Sequence, residues 1–193
     1  MTEPLTGILP VAPTPFHEGG ALDEEGCGRV MDCMIDQGVD AICILANHSE
    51  QFLLTDEERT RVARLSLERV ACRVPVIVTT SHFSTQVAVA RARDAEAMGA
   101  SMLMMTPPYH GTGLRADDEG IMEHFTAVSN AFSIPIILQD APLSGVTLKV
   151  ELPARMAREI ENVICLEIEC PFAADKLAAL LETDGDHIDG PFD

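Results

Sequence analysis

The stretch from Asn162 to Pro171, reading NVICLEIECP, sets the carboxylate of Glu167 inside an apolar run, with Glu169 close behind it. An acid among aliphatic neighbours is a candidate general acid or base, because burial disfavours its charged form and moves its titration toward neutrality. Other apolar runs also end in polar clusters: Asn47 to Glu50, Thr79 to His82, Thr106 to His110, and Gln139 with Asp140. Amines are scarce. Lys149 and Lys176 are the only lysines, which restricts where an imine-forming group can stand. His17, His48, His82, His110, His124 and His187 show no HxH or HExxH spacing, so no metal site is expected.

The elements that must position these groups alternate. Gly7 to Ala12 reads as a first strand ending at Pro13 and Pro15, and Asp23 to Gln37 as a helix. Val39 to Ala46 is the next buried run. Thr55 then begins a helix as its N-cap, with Glu58 placed for a capping box. Val74 to Thr79 leads into a helix over Ser84 to Met98, and Ala100 to Thr106 into one from Asp117 to Phe132. Ile134 to Leu138 precedes a helix from Leu152 to Ile160, and Val163 to Ile168 precedes one from Ala173 to Leu181.

Strands alternating with amphipathic helices at intervals of roughly 30 residues imply a parallel sheet covered by helices. No GxGxxG or GxxxxGK turn is present, and the polar clusters follow strand after strand, where a TIM (β/α)8 barrel gathers its active-site loops. The expected fold is therefore α/β, a single TIM-type barrel domain over residues 1–193, truncated to about six βα units plus the start of a seventh at Asp186 to Asp193. Such a chain lacks the C-terminal part of the barrel and leaves open parallel edges, an aggregation liability. The alternative is a compact open sheet that covers its own edges or pairs them with a second copy.

Composition narrows the function classes. With 193 residues and 47% hydrophobic content the chain can bury a sizeable core. Its net charge of -18 and pI near 4.5 oppose binding to nucleic acid or anionic membranes, which attract clustered Lys and Arg. No apolar run reaches the roughly 18 residues of a membrane span. The six cysteines form no CxxC pair, and no signal peptide precedes Gly7, so a cytoplasmic protein with reduced, buried thiols is expected.

Four segments together carry a family resemblance: ANHSE at 46 to 50, TPPYHG at 106 to 111, IPIILQDAP at 134 to 142, and the LEIE strand. They resemble the dihydrodipicolinate synthase and N-acetylneuraminate lyase family of Schiff-base aldolases and dehydratases. The resemblance runs from Gly7 to Asp193, about the first two thirds of such a barrel protein. It implies a lyase acting on a small 2-keto acid without a cofactor, in a homo-oligomer when full length. The family's GTTGE-type motif, which holds the substrate's keto carboxylate, falls on Ala46 to Glu50. Asn47, His48 and Ser49 are thereby implied as the carboxylate loop, with a plain polar turn as the alternative, while Glu50 is structural. The family's proton-relaying tyrosine matches Tyr109, the only tyrosine in the chain, with an ordinary packed residue as the alternative.

Two departures distinguish subgroups. Gln139 replaces the tyrosine that commonly ends the fifth strand, and Ser144 replaces the arginine of dihydrodipicolinate synthases. With the QDAPLSG loop, this resembles the subgroup that dehydrates 2-keto-3-deoxy sugar acids such as 2-keto-3-deoxyarabinonate.

The resemblance also places Glu167 at the family's imine-forming lysine. Strand alternation groups Val163, Cys165 and Glu167 on one face, and the resemblance turns that face into the barrel beside Gln139. A carboxylate can neither attack a ketone as a neutral amine does nor become an electron-withdrawing iminium. Three readings follow for Glu167: lost catalysis in a keto-acid-binding or structural protein, a changed mechanism with Glu167 as general acid or base, or an isolated change in an otherwise intact lyase. Lys149 and Lys176 fall on helices, at positions that normally face away from the barrel axis.

Overall fold

Three of the helices begin where a side chain can take up one of their first N–H groups. Asp23 caps α1 (Glu24–Asp36) by accepting from Gly26 N at 2.8 Å, and Asp117 caps α4 (Asp118–Ser129) by accepting from Gly120 N at 2.9 Å. The capping box expected at Thr55 opens α2 (Asp56–Val70): Thr55 Oγ1 accepts from Glu58 N at 3.2 Å, and Glu58 Oε2 accepts from Thr55 N at 2.9 Å.

The computed structural model of the chain describes residues 6–110, 114–141, 146–188 and 190–192. Its contacts divide it into two compact units. The first consists of residues 6–79 and 95–102. Here β1 (Ile42–Ile44) pairs in parallel with β2 (Val76–Thr79), Cys43 lying opposite Ile77. Both strands are buried throughout, as helix-covered parallel strands are. The strand expected over Gly7 to Ala12 is reduced to a single parallel bridge between Val11 and Cys43, flanked by Ala12 N donating to Cys43 O and Cys43 N to Pro10 O. Pro10 has no N–H to extend the ladder. On the outer side, Arg61 grips both oxygens of Glu24 at 2.8 and 2.7 Å, tying α2 to α1.

The second unit consists of residues 80–94 and the described residues from 103 onward. Its strands β3 (Met102–Met105, whose first residue belongs to the other unit), β6 (Ile136–Asp140), β7 (Val163–Ile168) and β8 (Gly190–Phe192) follow one another in a parallel sheet. Helices α4, α5 (Glu151–Glu159) and α6 (Ala173–Asp184) connect them, and α3 (Thr85–Ala97) precedes β3. The core here is built on Leu103, Met105, Phe125, Ile136, Ile137, Leu138 and Met156, all less than 2% exposed. A two-stranded antiparallel hairpin, β4 (Tyr109–His110) with β5 (Leu114–Arg115), was not expected from the sequence. The α/β class and the order of parallel strands and helices match the expectation. No helix among the described residues is long and apolar enough to cross a membrane.

The thiols differ in part from expectation: Cys27, Cys43, Cys165 and Cys170 are buried, but Cys33 and Cys72 are exposed. Cys72 follows α2 where Ala71 and Cys72 both take positive φ, so the chain turns outward there.

One buried histidine carries a consequence for acid stability. His124 on α4 is 3% exposed, and its Nδ1 lies 2.9 Å from Thr85 Oγ1 at the start of α3. Burial, reinforced by the nearby His82, depresses its pKa to about 4. The unfolded chain takes up this proton near the ordinary value of about 6.5, so the neutral imidazole stabilises the fold fully above that pH. That stability is lost as pH falls from about 6.5 to about 4. Urea unfolding across this range is expected to show a decline of roughly 3 kcal/mol, which His124→Gln removes.

Candidate functional site

Parallel pairing decides what stands at the ends of β6 and β7. Gln139 lies opposite Glu167, and Ile137 opposite Cys165, so these four side chains share one face of the sheet. Asp140 lies opposite Ile168 on the other face. Gln139 is 1% exposed, and its Oε1 has no hydrogen-bond partner among the described residues. Glu167 is half-buried in a strand whose other residues are nearly all buried. A register irregularity between Ile136 and Ile137 lets Ile164 go unmatched, so the side-by-side placement of Gln139 and Glu167 rests on the register beyond it.

The opposite face explains the lysine. Lys176 on α6 donates to Asp140 Oδ2 and to Leu148 O, with only 10% of its side chain exposed and none of Asp140's. Asp140 Oδ1 also accepts from Leu148 N at 3.2 Å, and Glu169 N donates to Asp140 O at 3.1 Å. Cys170 adds its thiol to the same carboxylate, and burial pushes that thiol up. Lys176 is thus committed on the face turned away from Glu167, and Lys149 is exposed near the start of α5. Ser144 and the rest of the segment 142–145 lie outside the described residues, as does Gly111.

Tyr109 opens the hairpin after β3 and is half-buried. Desolvation raises its pKa, so the phenol keeps its proton at neutral pH and can donate a hydrogen bond. In the same unit, Ser81 Oγ accepts from Thr106 N at 2.9 Å, and Ser84 N donates to His82 Nδ1 at 2.9 Å. The second bond assigns the His82 proton to Nε2.

The Asn47–Ser49 turn belongs to the other unit and is a short 3₁₀ helix after β1. Leu45 and Glu50 bracket it with φ of 58° and 57°, left-handed conformations that cost a non-glycine residue roughly 1–2 kcal/mol each. Ser49, 1% exposed, holds the turn: its hydroxyl donates to Ala12 O at 2.6 Å and accepts from Ala46 N at 3.2 Å, while Ser49 O accepts from Thr14 Oγ1 at 2.8 Å. A serine hydroxyl has one proton, and this one is used internally. Ser49, expected as part of the carboxylate loop, thus has its hydroxyl proton engaged by Ala12 O. Asn47 is half-buried and His48 exposed. Gln51, which the sequence reading passed over, is 2% exposed and donates from Nε2 to Asn47 Oδ1 at 3.0 Å. Its backbone carbonyl accepts from the buried Arg59 at 3.1 Å, and the other arm of that guanidinium reaches Thr79 O at 2.8 Å.

The pair on the far face of β6 is open to a direct measurement. Lys176→Met leaves the Asp140 carboxylate buried without its cation and is expected to cost about 3–5 kcal/mol in urea unfolding. Adding Asp140→Leu to Lys176→Met is expected to recover part of that loss, because the uncompensated charge is gone.

The chain matches the Dihydrodipicolinate synthetase family over residues 4–175. It is 54% identical over 187 residues to an L-2-keto-3-deoxyarabonate dehydratase of Azospirillum brasilense, covering 97% of this chain and 60% of that protein. A 4-hydroxy-tetrahydrodipicolinate synthase of Bartonella henselae is 34% identical over 161 residues, 83% of this chain and 54% of that one. Among solved structures, dihydrodipicolinate synthase from Aquifex aeolicus superposes with a TM-score of 0.89 at 28% identity, over 96% of this chain and 62% of that one. A prophage protein of the dihydrodipicolinic acid synthase family from E. coli K12, in complex with pyruvate, gives 0.88 at 28% identity, over 94% of this chain and 60% of that one. The fold is thus that of TIM-barrel proteins, and the chain spans about 60% of the length of the dehydratase it matches.

Proposed function

The chain belongs to the dihydrodipicolinate synthetase family, and on that premise we propose that it is a lyase-type protein of the 2-keto-3-deoxy sugar acid dehydratase subgroup whose Schiff-base step is blocked at Glu167. It binds a small 2-keto acid without forming the imine. The observation that carries this reading is the pairing of Gln139 with Glu167, at the position where the family resemblance puts the imine-forming lysine. Imine formation requires a neutral nitrogen lone pair to attack the keto carbon, and the resulting iminium draws electrons from the adjacent carbon. A carboxylate has no nitrogen lone pair to offer in either protonation state. Lys176 supplies no substitute, since its ammonium is held by Asp140 and Leu148 O on the other face of the strands.

What the chain retains is the means to hold a keto acid. Asn47 and His48 belong to the carboxylate loop, with Ser49 shaping the turn rather than donating to the ligand. Tyr109 keeps its proton and serves as a hydrogen-bond donor. The identity to the Azospirillum dehydratase supports the sugar-acid subgroup, together with Gln139 where synthases carry tyrosine. The protein needs no cofactor in this reading, works in the cytoplasm, and assembles with copies of itself.

Borohydride reduction in the presence of pyruvate, followed by intact-mass measurement, tests the block. The wild-type chain is expected to show no reduced adduct, and Glu167→Lys is expected to show one adduct, on the introduced lysine. A wild-type adduct overturns the proposal. An adduct missing from Glu167→Lys, with pyruvate still bound, means that the loss is not confined to this position.

A further inference from the structure

Two buried amide atoms in the turn after β1 lack partners among the described residues: Asn47 Nδ2 and Gln51 Oε1. Each is a hydrogen-bonding group removed from water without compensation, a cost that a bound ligand can offset. Between them runs the one bond that fixes both amides, Gln51 Nε2 to Asn47 Oδ1 at 3.0 Å. An asparagine amide is nearly symmetric in shape and opposite in polarity at its two ends. Whatever engages Oδ1 therefore decides which end is left for a ligand.

The geometry points to Gln51 as a positioning and specificity-determining residue: by holding Asn47 Oδ1 it leaves Nδ2 as a fixed donor, so that the turn selects an anionic carboxylate over a neutral amide. This rests on the reading of the 47–49 turn as the carboxylate loop. Gln51 is suited to the task because burial confines its side chain and its backbone is anchored. It is 2% exposed, and Arg59 pins its backbone carbonyl at 3.1 Å. Ser49 cannot share the work, as its proton goes to Ala12 O. A charge-assisted hydrogen bond from a preoriented amide N–H is stronger than one from an amide that must first choose its orientation.

The substitution Gln51→Glu reverses the logic. A carboxylate at this position offers only acceptors, so Asn47 turns its Nδ2 toward it and presents Oδ1 outward, a partner for an amide N–H and a repellent for a ligand carboxylate. Gln51→Met removes the orienting bond without adding charge.

The experiment is a solution NMR titration of the wild-type chain and its variants with isotope-labelled pyruvate and with pyruvamide, thermal unfolding being recorded for each. Wild type is expected to prefer pyruvate. Gln51→Met is expected to lose roughly tenfold in pyruvate affinity with pyruvamide unchanged, and Gln51→Glu to prefer pyruvamide. A purely structural role for Gln51 would weaken both ligands together and overturn the proposal, as would wild-type preference retained in Gln51→Met. If Gln51→Met fails to fold, Asn47→Asp with Gln51 in place presents only acceptors and must also lose pyruvate selectively; unchanged preference there overturns the proposal. A wild-type chain that binds neither ligand removes the keto-acid reading, and this inference with it. Binding to wild type with no change of preference in the variants removes this inference alone.

Discussion

The register between β6 and β7 is the constraint on which the chemistry-bearing part of the chain depends. Because side chains alternate along a strand, Gln139 and Asp140 face opposite ways although they are adjacent in sequence. The first stands beside Glu167, and the second is neutralised by Lys176 and by Leu148 N. A slip of one residue would bury Asp140 with Glu167 on the same face and strand Lys176 against aliphatic side chains. Two carboxylates together in a dry interior repel strongly, so the ion pair on one face and the acid on the other specify the same register.

The distribution of lysine follows from this. A chain with two lysines places one at the surface and one in a buried pair, and neither shares the face of Gln139 and Glu167 as a free amine. The buried pair is not available for recruitment. Pulling Lys176 away from Asp140 would leave a fully buried carboxylate without its cation, at a cost comparable to a large part of a domain's stability.

Much of the frame was legible because it is local. The Thr55–Glu58 capping box and the run of buried strands after the first depend on residues close in sequence, and they form where expected. The juxtaposition of Gln139 with Glu167 was also legible, through strand periodicity combined with family resemblance. What escaped was long-range or competitive. Asp140 and Lys176 are separated by 36 residues, and no periodicity announces that one lysine on a helix will turn inward. The first strand dwindled because Pro10 interrupts its donors, a local signal that was present but outweighed by the apolar pattern. Ser49 has the right residue type for a carboxylate grip. Only the carbonyl of Ala12, brought close by the bridge from Val11 to Cys43, shows that its proton is already taken.

The same separation explains why the fold does not depend on the side chain at position 167. Backbone ladders hold the ends of β6 and β7, and the Asp140 cluster holds them from the far face. Neither involves the side chain at position 167. Glu167 is half-buried in a strand that is otherwise almost closed to water, with its Oε2 shielded from solvent. Ile137, Leu138, Cys165 and Leu166 are buried around it and pack the two strands whatever side chain stands at 167.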